Sequence, residues 1–179
     1  MKRVLLTGMS GTGKSTVIRE LARLGHKAID LDEPGWSELA NVAGQTETSA
    51  FGAGRDWIWR EECIQDLLSV EDADVLFLSG CAPNQVKFYA QFDHIVLLSA
   101  PVPLMIERLA TRTTNPYGKQ PNEVAMVLQH KADSRADAEK SRISAGGLHC
   151  VCGSSGRDHL GPGAVLSATS LASRIISTD

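Results

Sequence analysis

The chain of 179 residues has no apolar run long enough to span a bilayer, so a transmembrane helix is not expected. It also lacks an excess of positive charge. The formal net charge is −3, which excludes a broad basic coat for nucleic acid and leaves any anionic ligand to a local cluster. No export signal is legible, because the first strand is expected to begin within a few residues of Met1. The four cysteines, Cys63, Cys81, Cys150 and Cys152, lack a second ligand pair at zinc spacing. They are expected to be reduced thiols of a cytoplasmic protein, with Cys150-Val151-Cys152 beside His149 read as alternating strand residues. There is no internal repeat. There is also no Asn-Lys-x-Asp motif, so the D-x-x-G match at Asp32-Glu33-Pro34-Gly35 carries no guanine-nucleotide reading.

What is present begins near the start. Gly8-Met9-Ser10-Gly11-Thr12-Gly13-Lys14-Ser15-Thr16 fits the phosphate-loop (Walker A) pattern G-x-x-x-x-G-K-[ST]. Its context fits too. Val4-Leu5-Leu6 reads as a buried strand before it, and Val17, Ile18, Leu21 and Leu24 recur at helical spacing after it. Gly8, Gly11 and Gly13 allow the backbone to close round an anion, which a Cβ would obstruct. Successive N–H groups then face phosphates, with the positive end of a helix behind them. Lys14 has the reach for the β- and γ-phosphates of ATP, and the Ser15 hydroxyl suits Mg²⁺. The nucleotide-binding set is therefore Gly8, Gly11, Thr12, Gly13, Lys14, Ser15 and Thr16.

Hydrophobic residues make up 42% of the chain, enough for one ordinary core, and residues 1–179 are expected to form a single domain. A second strand reads from Lys27 to Leu31, and 36–54 is polar with helical pieces at most. Arg55 to Val70 reads as a helix. Val75 to Leu78 makes a third strand, and a helix near Asn84 to Ala90 follows. His94 to Ser99 makes a fourth strand. A helix opened by Pro101 and Pro103 carries Leu104, Ile106 and Leu109 on its apolar side. A polar loop from Thr113 to Pro121 precedes a helix of about Asn122 to Lys140. The Ser/Gly-rich tail 141–179 holds a candidate fifth strand at Leu148–Cys152 and a candidate closing helix at Ala164–Ile176. Strands alternating with helices predict an α/β fold with a parallel sheet covered on both faces. Ligands in such sheets lie at the carboxyl ends of the strands.

Several residues converge on that edge. Asp30 and Asp32 stand two apart at a strand end, so their side chains are expected to point the same way. One such carboxylate can hold Mg²⁺ through water and the other can take a proton from an attacking hydroxyl. Arg108 and Arg112 are four apart on one helical face and lead into the polar loop. There they suit the charge that develops on a transferring phosphoryl group, with Lys119 as a weaker candidate. Arg55, Arg60 and Lys87 suit an anionic or polyhydroxyl acceptor. Trp57 and Trp59 suit core packing more than a pocket floor, and Asn84 and Tyr89 are pocket candidates of the same kind.

These residues resemble the small phosphate-loop kinases, namely shikimate kinase, gluconate kinase and the nucleoside monophosphate kinases, over roughly residues 1–130. Gly8 to Thr16, Asp30-Leu31-Asp32, Ser79-Gly80-Cys81 and the arginines before the polar loop carry the resemblance. Trp57-Ile58-Trp59, Ser79 to Gln85 and Asn115 to Lys119 also look like a group labelled shikimate-kinase-like or AAA-family ATPases. The resemblance implies a three-layer P-loop NTPase fold with about five parallel strands in the order 2-3-1-4-5. It implies an acceptor-binding segment of about 33–70 and a mobile lid of about 112–122. It places Asp30 nearer Mg²⁺, with Asp32 nearer the acceptor and Gly80 bordering it. The activity implied is Mg-ATP-dependent phosphotransfer to a small-molecule hydroxyl or phosphate acceptor, with no nucleic-acid or membrane partner. Catalysis falls to Lys14, Asp30, Asp32, Arg108 and Arg112, metal to Ser15 and Asp30, and acceptor binding to Asp32, Arg55, Arg60 and Gly80. The alternative is an ATP-binding or ATPase switch without an acceptor. Shikimate kinases carry a glycine triplet where this chain has Gly80-Cys81-Ala82, so the acceptor stays open among shikimate-like acids, sugar acids, nucleotides and antibiotics.

Overall fold

The computed structural model of the chain describes residues 1–42, 54–113, 118–121, 123–125, 127, 148–152, 169 and 171–173. The frame is a parallel sheet of β1 (Lys2–Thr7), β2 (Lys27–Asp30), β5 (Val75–Ser79) and β6 (His94–Ser99) in the spatial order β2-β5-β1-β6. Leu148–Cys152 (β7) pairs in parallel beside β6, where the tail was expected to add a fifth strand. With an inserted hairpin set aside, this is the expected order 2-3-1-4-5. The chain leaves β1 for β2 on one side and later returns to β6 on the other. A crevice forms at such a reversal, outside the carboxyl ends of the strands.

Alternation along the strands divides the core into two faces. Val4, Leu6, Phe77 and Val96 pack with Ile18 and Leu21 of α1 (Lys14–Arg23). Leu171 and Ala172 of the tail join this layer, where Thr169 and residues 171–173 are helical. Leu5, Leu76, Leu78 and Ile95 face the other way, against Ile64, Leu67 and Leu68 of α2 (Glu61–Ser69). β5 is buried along its whole length, as a strand covered on both faces must be. A third cluster joins Met105 and Leu109 of α3 (Val102–Thr111) to Val127 and Met9, so the phosphate loop rests on α3. Ile106, expected on the apolar side of that helix, is 39% exposed, and Met105 is the buried residue instead. A helix this short buries a narrow stripe, and Met105 shares it with Leu109 at i,i+4.

The largest correction concerns 36–70. Ser37–Asn41 (β3) and Arg55–Trp59 (β4) form an antiparallel hairpin, where helical pieces and the start of a long helix were expected. Trp57-Ile58-Trp59 is an aromatic and β-branched run that favours a strand. Burial rises toward the frame: Trp57 is 46% exposed, Ile58 is half-buried and Trp59 is fully buried. α2 then starts at Glu61, whose acid and that of Glu62 suit the positive end of a helix. The segment after β5 is a 3₁₀ stretch, Pro83–Gln91, in place of the α-helix expected at Asn84–Ala90. Most of the helix expected at Asn122–Lys140 and of that at Ala164–Ile176 lies outside the described residues, as do residues 114–117 of the polar loop.

Trp59 fastens the hairpin to the frame. Its ring lies against Phe88, with centroids 5.9 Å apart. The Asn84 amide brackets its backbone: Trp59 N–H donates to Asn84 Oδ1 at 2.9 Å, and Asn84 Nδ2 donates to the Trp59 carbonyl at 2.9 Å. Trp59→Ala is expected to lower stability by about 3–5 kcal/mol in chemical denaturation. A change below about 1 kcal/mol would show that the hairpin is not held through this residue.

Candidate active site at the carboxyl edge of the sheet

Gly8 to Thr16 turns from β1 into α1. Gly8, Gly11 and Gly13 have φ of 142°, 85° and 103°, a region that side-chain-bearing residues rarely adopt. Space sets the same requirement. A Cβ at Gly8 would lie 2.3 Å from the Leu98 carbonyl oxygen, and one at Gly11 would lie 3.0 Å from that of Met105. Thr12 tightens the turn, its hydroxyl and its N–H both donating to the Met9 carbonyl, at 2.7 and 3.2 Å. No side chain caps α1, and its first turn holds no acid. The positive end of the helix therefore faces the loop without local neutralisation. Gly8→Ala is expected to lower stability by more than about 1 kcal/mol. It should also weaken nucleotide binding in calorimetry; wild-type affinity in that variant would show that the loop tolerates the clash.

Lys14 is 6% exposed. Its Nζ donates to the Gly8 carbonyl at 2.8 Å and lies 3.6 Å from Asp32 Oδ2. The phosphate loop thus meets Asp32, which lies just past the end of β2. Arg108 reaches the same loop from α3, its Nη1 donating to the carbonyls of Gly11 and Thr12 at 3.1 and 3.2 Å.

The two acids do not share one orientation. Asp30 ends β2 and is buried, accepting from the Ser79 hydroxyl at 3.0 Å and from the Asp32 N–H at 3.2 Å, both at Oδ1. Asp32 lies beyond the strand, where two-residue alternation no longer applies. Its side chain is 38% open, yet its carboxyl is crowded by protein, and loss of water pushes it above the usual aspartate range. Lys14 opposes that rise, the Asp30 charge adds to it, and the Cys81 N–H, 3.4 Å from Oδ1, opposes it.

The remaining expected residues are scattered. Arg112 is half-buried at the C-cap of α3, where its carbonyl and that of Ala110 accept from Lys119 Nζ at 2.7 and 2.6 Å. Lys119 therefore caps a helix instead of reaching into the crevice, because its ammonium satisfies carbonyls that the helix leaves unpaired. Behind it, Glu123 Oε2 accepts from the N–H groups of Gly118, Lys119 and Gln120. Arg60 is exposed beside Gly35, to whose carbonyl it donates at 3.2 Å. Arg55 opens β4 opposite Asn41, at the end of the hairpin away from Trp59. Lys87 pairs with Glu61 on the outside of α2. Gly80 is buried under Trp59: a Cβ there would come 3.0 Å from the indole. It packs against the hairpin through that ring.

Four residues at the crevice were missed or underweighted. Thr7 donates to Gln85 Oε1 at 3.1 Å, joining the end of β1 to the 3₁₀ stretch. The Cys81 thiol is raised by burial and further by Asp32, with Lys14, Thr7 and Gly8 opposing. Burial also raises the Tyr89 phenol, with Cys81 adding to it. A neutral thiol thus stands beside the acid at neutral pH, with the neutral phenol next to the thiol. Ser79 was seen only as a strand end. Only its position one residue before Gly80 on a buried strand marked it in the sequence. No group of three or more metal-ligating side chains occurs among the described residues. No described helix is long and apolar enough to cross a membrane.

Comparison with known proteins agrees with this geometry. The chain is 30% identical over 154 residues to a shikimate kinase of Geobacter sulfurreducens, covering 81% of this chain and 83% of that protein. Its fold resembles a shikimate kinase from Acinetobacter baumannii in complex with shikimate, with a TM-score of 0.54, 22% identity and coverage of 98% and 91%. It also resembles a deoxyadenosine kinase from M. mycoides with bound dATP, with a TM-score of 0.57, 12% identity and coverage of 99% and 100%. Those two likenesses establish the fold. Residues 4–129 match the family described as AAA domain, which takes in the phosphate loop, both acids at the end of β2 and Arg108. With most of its length matched and the loop, sheet order and crevice all in place, the chain belongs to the AAA domain family of phosphate-loop proteins.

Proposed function

We propose that the protein is a Mg²⁺- and ATP-dependent kinase that transfers a phosphoryl group to a small-molecule acceptor. The observation that carries this reading is the meeting of Lys14 and Asp32 at 3.6 Å across the mouth of the phosphate loop. An acid from the end of β2 thereby stands where an acceptor hydroxyl would approach the phosphates. An ATPase switch instead usually takes its acids from the strand beside the phosphate-loop strand. That strand is β5, and it ends Leu78-Ser79-Gly80 with no acid.

In this reading the loop N–H groups and the helix end of α1 hold the phosphates of ATP, and Lys14 leaves the Gly8 carbonyl for them. Arg108, already on the loop, stabilises charge on the transferring group; Arg112 and the lid complete the closure. The donors suited to magnesium are oxygens, the Ser15 hydroxyl and the Asp30 carboxylate, and a hard cation prefers such a set. Bound there, Mg²⁺ neutralises phosphate charge. Asp32 orients the acceptor hydroxyl and takes its proton, and a carboxyl raised by desolvation is the better base for that step. The acceptor occupies the space between Asp32, Cys81 and the hairpin, with Arg60 at its outer margin.

ADP release across a panel of shikimate-like acids, sugar acids, nucleosides and aminoglycosides, at fixed Mg²⁺ and ATP, tests this reading. One acceptor class should raise turnover well above the rate with ATP alone. Hydrolysis indifferent to every acceptor, but raised by a protein partner, would replace the kinase with the switch.

A further inference from the structure

Ser79 is fully buried at the end of β5, and no candidate role in the phosphotransfer reading uses it. Yet among the described residues its hydroxyl makes the buried side-chain hydrogen bond that reaches the acidic pair. Ser79 Oγ donates to Asp30 Oδ1 at 3.0 Å, and the Asp32 N–H donates to the same oxygen at 3.2 Å. The backbone repeats the link, with Leu31 N–H donating to the Ser79 carbonyl at 2.7 Å. Register pairing sets Asp30 directly against Ser79. Next along the chain, Gly80 N–H donates to the Leu6 carbonyl at 3.1 Å, tying the same corner to β1 just before the phosphate loop.

An aspartate side chain turns about two bonds, and a carboxylate whose position matters needs a second partner to hold it. Two donors converge on Oδ1, which leaves Oδ2 as the oxygen of Asp30 without a described partner. A buried serine hydroxyl also needs an acceptor of its own, so the bond is favoured from both sides. We propose that Ser79 is a positioning residue: its hydroxyl locks Asp30 so that Oδ2 is presented toward the magnesium of the nucleotide, while Oδ1 holds the Asp32 backbone in register with Lys14. This rests on the phosphotransfer reading above.

Calorimetric titration of ADP at several Mg²⁺ concentrations, with the full chain, tests it without relying on turnover. Ser79→Ala should raise the Mg²⁺ concentration needed for tight nucleotide binding roughly tenfold to a hundredfold. Affinity for ADP without Mg²⁺ should stay unchanged. Backbone exchange at Asp32 should speed up, because its N–H loses a fixed acceptor. Ser79→Cys, close in size and a weaker donor, should lie between the two and serves if the alanine variant folds poorly. In an Asp30→Asn background, Ser79→Ala should produce no further change in the Mg²⁺ requirement, since its effect passes through that carboxylate. An unaltered Mg²⁺ requirement in Ser79→Ala overturns the proposal. So does equal weakening of Mg²⁺-free ADP binding, which would mark an ordinary packing role. A parent protein that binds ADP no better with Mg²⁺ than without overturns the phosphotransfer reading itself, which separates the two failures.

Discussion

Replacing Lys14 by alanine should reduce acceptor-dependent ADP release by roughly a hundredfold to a thousandfold or more, the scale seen when one preorganised electrostatic donor is removed. The folded state should survive. Lys14 is almost fully buried, but its ammonium meets the Gly8 carbonyl and the partly open Asp32 carboxylate, and its backbone sits in the first turn of α1. Alanine is the best helix former, so the turn is not weakened. The loop is shaped by Gly8, Gly11, Gly13, Thr12 and Arg108, none of which changes. Circular dichroism close to the parent should therefore accompany the loss of turnover, with the denaturation midpoint lowered by the loss of the cation facing Asp32. Parent-like turnover in a folded Lys14→Ala protein would remove the phosphate loop from the chemistry.

Asp32→Asn should separate activity from stability. As the proposed proton acceptor, Asp32 should contribute about a hundredfold to ten-thousandfold to turnover, and asparagine cannot take the proton. Stability should move the opposite way. The folded protein holds the Asp32 carboxyl above its ordinary value of 3.8, chiefly because water is lost around it, so ionisation favours the unfolded chain. Stability linked to this group is fully present below the unfolded value and is lost as pH rises through the folded one. A neutral amide in its place carries no such penalty. The variant should unfold at a higher temperature than the parent at neutral pH. The gain should shrink as the pH falls and vanish where the parent carboxyl is protonated in both states. Lys14 and Asp30 are the charges that tune this window, together with the hydrogen bond from the Cys81 N–H. A variant less stable than its parent at neutral pH would show that attraction to Lys14 outweighs desolvation. In the parent, the acid limb of kcat/KM should lie above the ordinary carboxylate range, because the base form of the free enzyme disappears as pH falls through the raised value.

The separation of activity and stability has a structural origin. A charged group held off water beside a phosphate loop is poorly placed for folding and well placed for catalysis.

How legible all this was in the chain depended on range. The phosphate loop is local: three glycines, a lysine and a serine within nine residues dictate a turn that few other sequences could make, and the strand and helix beside it follow from short-range periodicity. The parallel strands were readable because burial on both faces leaves continuous apolar runs such as Val75 to Leu78. The parallel arrangement and the strand-end crevice followed from that alternation, while the sheet order came only from the resemblance to small phosphate-loop kinases. The hairpin was not readable. Ser37–Asn41 has little strand character of its own, and its partner strand lies beyond residues 43–53. Only pairing with Trp57-Ile58-Trp59, and the seating of Trp59 over Gly80, makes it a strand.

Chain order alone thus settled where the glycine-rich turn lies between the first strand and its helix, and that the sheet is parallel. Those outcomes rest on backbone conformation and alternation, which act over a few residues. Folding in three dimensions decided the rest. Asp30 turned to Ser79 and Asp32 to Lys14. Arg108 came to the loop while Lys119 went to a helix end and Lys87 to Glu61. Each of those choices depends on which unpaired carbonyl or carboxylate lies within reach of a long side chain. That is a property of distance in space, for which separation along the chain carries no record.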